Sequence, residues 1–238
     1  MPAAPPSWPE PETSPPPGNK AGRRFTHNPM ISMKERIPLY LILLIVGLYA
    51  LDQVSKWAIV LNFSYDWLRQ FSPDYISVLS DNGVMHFNLV RVHNTGVAFG
   101  AGNGTVWAPF LFLGIQIVAL VWLYRLFRKG FFCTRLLKVA WALIITGIIG
   151  NMTDRLLQGF FRPEAGELGF FANLMNGYVV DFLDFSFPWI TTANWPMGYH
   201  WPSFNVADSC VCIAAGLFII ASFITPELKE KKETEKAA

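Results

Sequence analysis

Charge is scarce in this chain. Only 15% of its 238 residues are Asp, Glu, Lys or Arg, while 52% are hydrophobic; ordinary soluble domains carry about 25% charged residues. That deficit, with several long apolar runs, excludes an ordinary soluble protein and predicts an integral membrane protein. The net charge of +2 gives no basis for nucleic-acid binding. Cysteine is also scarce. Cys133, Cys210 and Cys212 cannot build a disulfide framework, and the last two lie too close on a helix to bridge easily. They read as small apolar fillers. The four histidines, His27, His86, His93 and His200, form no i,i+4 couple and no zinc motif, so neither a metal nor a cofactor is expected. No glycine-rich phosphate loop joins a strand to a helix, and no Ser/His or Cys/His pair lies at a matching depth. No short apolar h-region with an A-x-A-like site follows the first basic residues, so a cleavable secretory signal is not expected.

What is present is a series of apolar spans. Nine prolines fall in the first thirty residues, and residues 1–36 read as a disordered cytoplasmic tail. Residues 37–226 read as one membrane domain with spans at about 37–61, 106–127, 136–157 and 204–224, each long enough for a roughly 30 Å apolar core. Residues 227–238 are a charged tail. In the first loop, Trp67, Phe71 and Tyr75 recur at helical spacing and predict an interfacial helix around Asp66–Phe71. Met85 to His93 alternates as a strand, with turns at Asp81–Gly83 and Asn94–Gly96. The second loop, Leu156 to Ser203, is rich in aromatics, as membrane interfaces are. The expected fold is an α-helical integral membrane protein, a four-transmembrane-helix bundle with a small extracytoplasmic β-sheet cradle.

Fourteen of the nineteen Lys and Arg lie in the N-terminal tail, in Arg125–Lys138 or after Leu228. This places both termini and the middle turn in the cytoplasm and both loops outside. Three separate spans then bring costly polar groups to one depth near the outer leaflet. Asp52 and Lys56 lie in the first span, Asn151, Asp154 and Arg155 at the end of the third, and Asn205 and Asp208 at the mouth of the fourth. A charged group at such a depth costs roughly 2.5–3.5 kcal/mol and marks function by default.

Asn205 and Asp208 are three apart and share a helix face, as do Asn151, Asp154 and Arg155 at i, i+3 and i+4. Asp52 and Lys56, four apart with the acid first, form either a structural ion pair or part of the site; both readings stand. Asp181 and Asp184 lie just before the fourth span. Two neighbouring carboxylates cannot easily both ionise, so one keeps a proton near neutral pH. The ionised one can take a proton from water while the protonated one polarises a carbonyl. This is aspartic peptidase chemistry. The rival reading is a proton- or ion-coupled transporter subunit, which would spread polar residues through the membrane depth.

Five blocks carry a resemblance: Asp52-Gln-Val-Ser-Lys56, Asn94-Thr-Gly-Val-Ala-Phe99, Gly150-Asn-Met-Thr-Asp-Arg155, Val179-Val-Asp-Phe182 and Phe204-Asn-Val-Ala-Asp-Ser209. In this order they resemble the motifs of the lipoprotein signal peptidases, signal peptidase II. The resemblance covers about Ile37 to Ile224. It implies a multi-pass endopeptidase of the bacterial inner membrane that cuts prolipoproteins before a diacylglyceryl-modified lipobox cysteine. It implies Asp181 and Asp208 as the catalytic pair. Asn94, Asn151, Arg155 and Asn205 would bind substrate backbone or brace the pair, Asp52 and Lys56 would support it, and Asp154 would be structural. Asp184, Arg91 and His93 read as solvated or exposed residues. The implied partners are prolipoprotein substrates and membrane lipid, with the chain acting as a monomer, and globomycin-type inhibitors would bind. One departure stands out. Twenty-five residues separate Arg155 from Asp181, where the family has a short connection. Arg162–Glu167 reads as a surface turn within that insert, and Thr191–Ser203 as part of a flap.

Overall fold

A computed structural model describes residues 36–68, 72–79, 84–96, 108–190 and 199–224. Helix α1, Leu39–Asn62, is followed by strands β1, Ile76–Leu79, and β2, His86–Asn94. Helices α2, Ala108–Arg128, and α3, Arg135–Leu157, form a hairpin. Two 3-10 turns, Gln158–Phe161 and Pro163–Gly166, and the short helix α4, Phe170–Met175, lead into β3, Val179–Phe187. Strand β4, Tyr199–His200, and helix α5, Val206–Ile224, complete it. Four helical stretches are long and apolar enough to cross a membrane: Leu39–Asn62, Phe110–Arg128, Arg135–Phe161 and Val206–Ile224. They occupy the stretches read as spans. Both tails, the Asp81–Gly83 turn and most of Thr191–Ser203 lie outside the described residues. So does part of the expected interfacial helix; Asp66–Leu68 form a turn in which the Asp66 carboxylate accepts from the Leu68 N–H at 3.0 Å.

The α2–α3 hairpin follows from its local sequence. Gly130 takes φ 74° past the end of α2, a conformation that glycine adopts without Cβ strain. The Gly130 N–H then reaches the Phe127 carbonyl at 2.9 Å, and the Phe131 N–H the Leu126 carbonyl at 3.1 Å, a Schellman closure. Thr134 caps α3, its hydroxyl accepting from the Leu137 N–H at 3.2 Å. Arg125 and Arg128 sit in the last turn of α2, where the helix dipole favours cations.

Helix α3 is the hub. Half of its apolar window is buried, against 11–22% for the other three spanning helices. At the hairpin end, Leu41, Leu123, Phe127, Phe132, Leu137 and Trp141 form an apolar cluster. Trp141 is buried there and donates its indole N–H to the Leu123 carbonyl at 3.1 Å. At the other end α3 and α5 approach closely over small residues. A Cβ on Gly147 would meet the Ala207 carbonyl oxygen at 2.6 Å, and one on Gly150 would meet the Asp52 carboxylate at 2.7 Å. Small residues at helix contacts permit this approach.

The sheet is antiparallel, ordered β1-β2-β3-β4, and sits at that second end. The ring of Phe182 and the side chain of Val180 pack with Ile59 and Phe63 of the α1 terminus. A bulge in β2 between Leu89 and Val92 shifts its register against β3. Phe204, just before α5, pairs with Leu183 in both directions at 2.8 and 3.1 Å. This pairing ties the start of α5 to β3.

Arg91 and His93 are not exposed loop residues. Arg91 is buried and donates to the Val60 and Phe63 carbonyls at 3.0 and 2.7 Å, joining β2 to the free carbonyls at the end of α1. His93 stacks between Tyr65 and Tyr178 at 3.6 and 3.9 Å. Strand alternation turns both residues onto the face that the chain after α1 covers.

Candidate active site

Asp208 is the third residue of α5, and Asn205 is its N-cap. The Asn205 side-chain oxygen accepts from the Asp208 N–H at 3.0 Å, and the Asp208 carboxylate accepts from the Asn205 N–H at 3.2 Å. This is a reciprocal capping box with Asn and Asp in the two roles. The Asn205 amide also donates to Asp181 Oδ1 at 2.7 Å. One fully buried residue thus holds both aspartates. Asp181 Oδ2 accepts from Asn94 Nδ2 at 3.0 Å, and Asp208 Oδ1 from Asn151 Nδ2 at 2.7 Å. Asn94 is itself oriented by an Asx turn, its oxygen accepting from the Gly96 N–H at 3.1 Å.

Asp181 sits on β3 with 2% exposure. Burial, and then the charge of Asp208 beside it, push its carboxyl pKa up to about 7. The pair therefore shares one proton near neutral pH. Asp184 is excluded from the pair. On a strand, residues three apart face opposite sides, so Asp184 points away from Asp181. It is not a solvated carboxylate either: it is 8% exposed, accepts from Asn88 Nδ2 at 3.2 Å and faces His200 Nδ1 at 3.4 Å.

Beneath the pair lies a buried ion triad. Lys56 Nζ meets Asp52 at 2.9 Å, Asp154 at 3.0 Å and the Asn151 side-chain oxygen at 3.0 Å. An ammonium has three donors, and all three are used. Gln53 donates to both flanking carboxylates at 3.1 Å. Both carboxylates of the triad also reach backbone. Asp52 Oδ1 accepts from the Ala207 N–H at 2.8 Å, one residue before Asp208. Asp154 Oδ2 accepts from the Val180 N–H at 3.1 Å, one residue before Asp181. Each aspartate of the pair therefore hangs on a carboxylate of the triad.

Arg155 faces the open side. Its guanidinium donates to the Gly96 carbonyl and lies 5.3 Å from the centre of the Phe112 ring. A cavity of about 260 Å³ opens here, bounded by Asn94, Phe112, Gln116, Asn151, Arg155 and Asp208. Arg155 Nη1 and Gln116 Oε1 are buried without a hydrogen-bond partner among the described residues. Phe112 and Gln116 were not anticipated from the sequence. The one available signal was Gln116, an amide within an otherwise apolar stretch. Among the described residues no group of three or more His, Cys, Asp or Glu could hold a metal ion.

Next to Asn94, the neutral His93 ring braces the strand. Burial, and then the positive charges of Arg91 and Arg162, depress its pKa to about 2. Its Nε2 accepts from Arg91 Nε at 3.0 Å, which leaves the proton on Nδ1. Arg162, from the insert, lies 5.0 Å from the Trp67 ring centre.

Comparison with known proteins places this geometry. A family model described as Signal peptidase (SPase) II matches residues 44–224. A lipoprotein signal peptidase of Vibrio vulnificus is 34% identical over 182 residues, covering 76% of this chain and 83% of that protein. One from Serratia marcescens is 29% identical over 208 residues, covering 87% and 98%. A solved bacterial membrane enzyme, determined by the in meso method at 1.9 Å, superposes with a TM-score of 0.55 at 26% identity, covering 81% of this chain and 99% of that one. A second, at 2.3 Å, gives 0.55 at 27% identity, with 80% and 91% covered.

Proposed function

Because the chain belongs to the signal peptidase II family and is a multi-pass bacterial membrane peptidase, we propose that Asp181 and Asp208 are its catalytic pair and diacylglyceryl-modified prolipoproteins its substrates. The observation that carries this reading is that one residue, Asn205, holds both carboxylates, its side-chain amide donating to Asp181 and its backbone N–H to Asp208. Asp208 is the ionised base, since it sits in the first turn of α5 where the helix dipole favours negative charge. Asp181 holds the proton. Asp208 takes a proton from water as the water oxygen bonds to the scissile carbonyl carbon, and Asp181 gives its proton to the carbonyl oxygen. Collapse of the tetrahedral adduct breaks the C–N bond: the proton held by Asp208 goes to the leaving amine, and Asp181 takes a proton back from the adduct's hydroxyl as the carbonyl reforms, which restores the pair. Arg155 Nη1 and Gln116 Oε1 supply an unpaired donor and acceptor to the peptide in the cavity. The cut precedes the lipid-bearing lipobox cysteine, whose chains stay in the bilayer beside the cavity.

The distribution of the basic residues supports both termini in the cytoplasm and the site at the outer face of the inner membrane. Globomycin-type inhibitors would occupy the same cavity. A transporter would need polar groups along a path, whereas the hairpin end of the bundle is an apolar cluster. The test is cleavage of a diacylglyceryl-modified prolipoprotein by the purified protein. Asp181→Asn and Asp208→Asn should each lower turnover by about 10²–10⁴-fold, the usual range for general acid–base groups, while Asp184→Asn keeps it. Near-normal turnover in either of the first two overturns the assignment.

A further inference from the structure

We propose that the insert between Arg155 and Asp181 is a membrane-interface anchor, with the rings of Phe161, Phe170 and Phe171 seated among lipids at the site's end of the bundle. These rings are 57%, 64% and 75% exposed, a cluster that an aqueous surface does not favour. They are continuous with the lipid-facing helices. The Phe161 ring meets Trp57 of α1 edge-on at 4.8 Å. Trp57 lies five residues before the end of α1, about 7.5 Å of helix rise below it. Phe161 is thus held below the level at which α1 ends, and it is the last residue of the third stretch able to span a membrane. Its neighbour Phe160 lies 5.5 Å from Phe170, and Phe170 lies 5.7 Å from Phe171. Exposed Leu61 and Leu157, at the ends of α1 and α3, extend the same apolar surface.

The exposure of these rings belongs to a packed unit. A Cβ on Gly159 would overlap the Asn173 carbonyl, and one on Gly177 the Arg155 carbonyl. Asn173, itself buried, donates to the Ala165 carbonyl at 3.0 Å across the insert. The polar residues lie apart from the rings: Arg162 pairs with Glu164, and Glu167 is exposed. Aromatic rings with a polar turn beside them suit the boundary between headgroups and acyl chains. The anchor joins α3 just after Arg155 to β3 just before Asp181, so it lies beside the pair at the bilayer boundary.

The inference rests on the membrane-spanning helices and not on the peptidase assignment. It is tested with the full chain in liposomes of phosphatidylethanolamine and phosphatidylglycerol. A photoreactive benzoylphenylalanine replaces Phe171, with Val118 (68% exposed on α2) as the lipid reference and Glu167 as the water reference. After illumination, lipid adducts are counted by mass spectrometry. The yield at 171 should fall within about twofold of that at 118 and exceed that at 167 by about fivefold or more, as an interfacial ring requires. A yield at 171 no higher than at 167, while 118 labels, overturns the anchor, as does crosslinking to a second protein chain instead of lipid. Should the 171 variant fail to fold, the same comparison at Phe170 decides.

Discussion

Replacing Lys56 by Met tests the triad most directly. Met keeps much of the length and apolar volume of the stem, so packing changes little. What is lost is the ammonium between Asp52 and Asp154, both fully buried. Removing one partner of a buried ion pair costs about 3–5 kcal/mol, because the remaining charge is left uncompensated. Here two carboxylates would face each other, so the upper part of that range applies. At about 2–4 °C per kcal/mol for a domain of this size, the melting temperature should fall by roughly 8–20 °C. Lys56→Met/Asp154→Asn removes one of the stranded charges and should recover part of the loss. The assay is thermal unfolding of purified protein in one detergent, with the unaltered protein and the two variants run side by side. A loss below about 1 kcal/mol for Lys56→Met would refute the account, since that is the level of an exposed pair. Turnover should fall with stability, because the backbone ahead of each aspartate of the proposed pair is held by the two carboxylates.

Three further outcomes follow from the site and its packing. Since the Asp181 pKa is raised to about 7, kcat/KM should fall about tenfold per unit as pH rises beyond it. The raised value also means stability present at low pH and lost as pH climbs from the ordinary carboxyl range to about 7; Asp181→Asn should lack that slope in a melting-temperature series. Asn205→Ala removes the cap of α5 and the 2.7 Å donor to Asp181, which should cost about 1–3 kcal/mol of stability and show as a lower kcat with a smaller change in KM. Gly150→Ala forces a methyl against Asp52 and Ala207 and should cost about 1–3 kcal/mol, whereas Gly47→Ala, with nothing within 4 Å, should be close to neutral by the same melting assay.

Much of this architecture was legible. Apolar length alone located the four helices, and the depth of Asp52, Lys56, Asn151, Arg155, Asn205 and Asp208 brought them together before any contact was known. Other features were hidden for identifiable reasons. Asp184 lies three residues from Asp181, a spacing that would share a face on a helix; the strand's period of two separates them. Arg91 and His93 lie in a stretch whose alternation revealed the strand but not what covers its inner face. The Asp52 and Asp154 bonds to backbone N–H groups were invisible, because a main-chain partner carries no residue identity. Gln116 and Phe112 join the site through the packing of α2, whose sequence differs little from any lipid-facing span.

The triad has a consequence for how this chain can grow. Both aspartates of the proposed pair take their positions from the ion triad inside the apolar layer, through the hydrogen bonds of Asp52 and Asp154 to the Ala207 and Val180 N–H groups, and not from the lengths of the segments that join the helices. Connections above that layer can therefore lengthen without moving the chemistry. The 25 residues between Arg155 and Asp181 are such a case: a turn-and-helix unit stands directly before Asp181, the proposed catalytic residue, whose backbone is held from below.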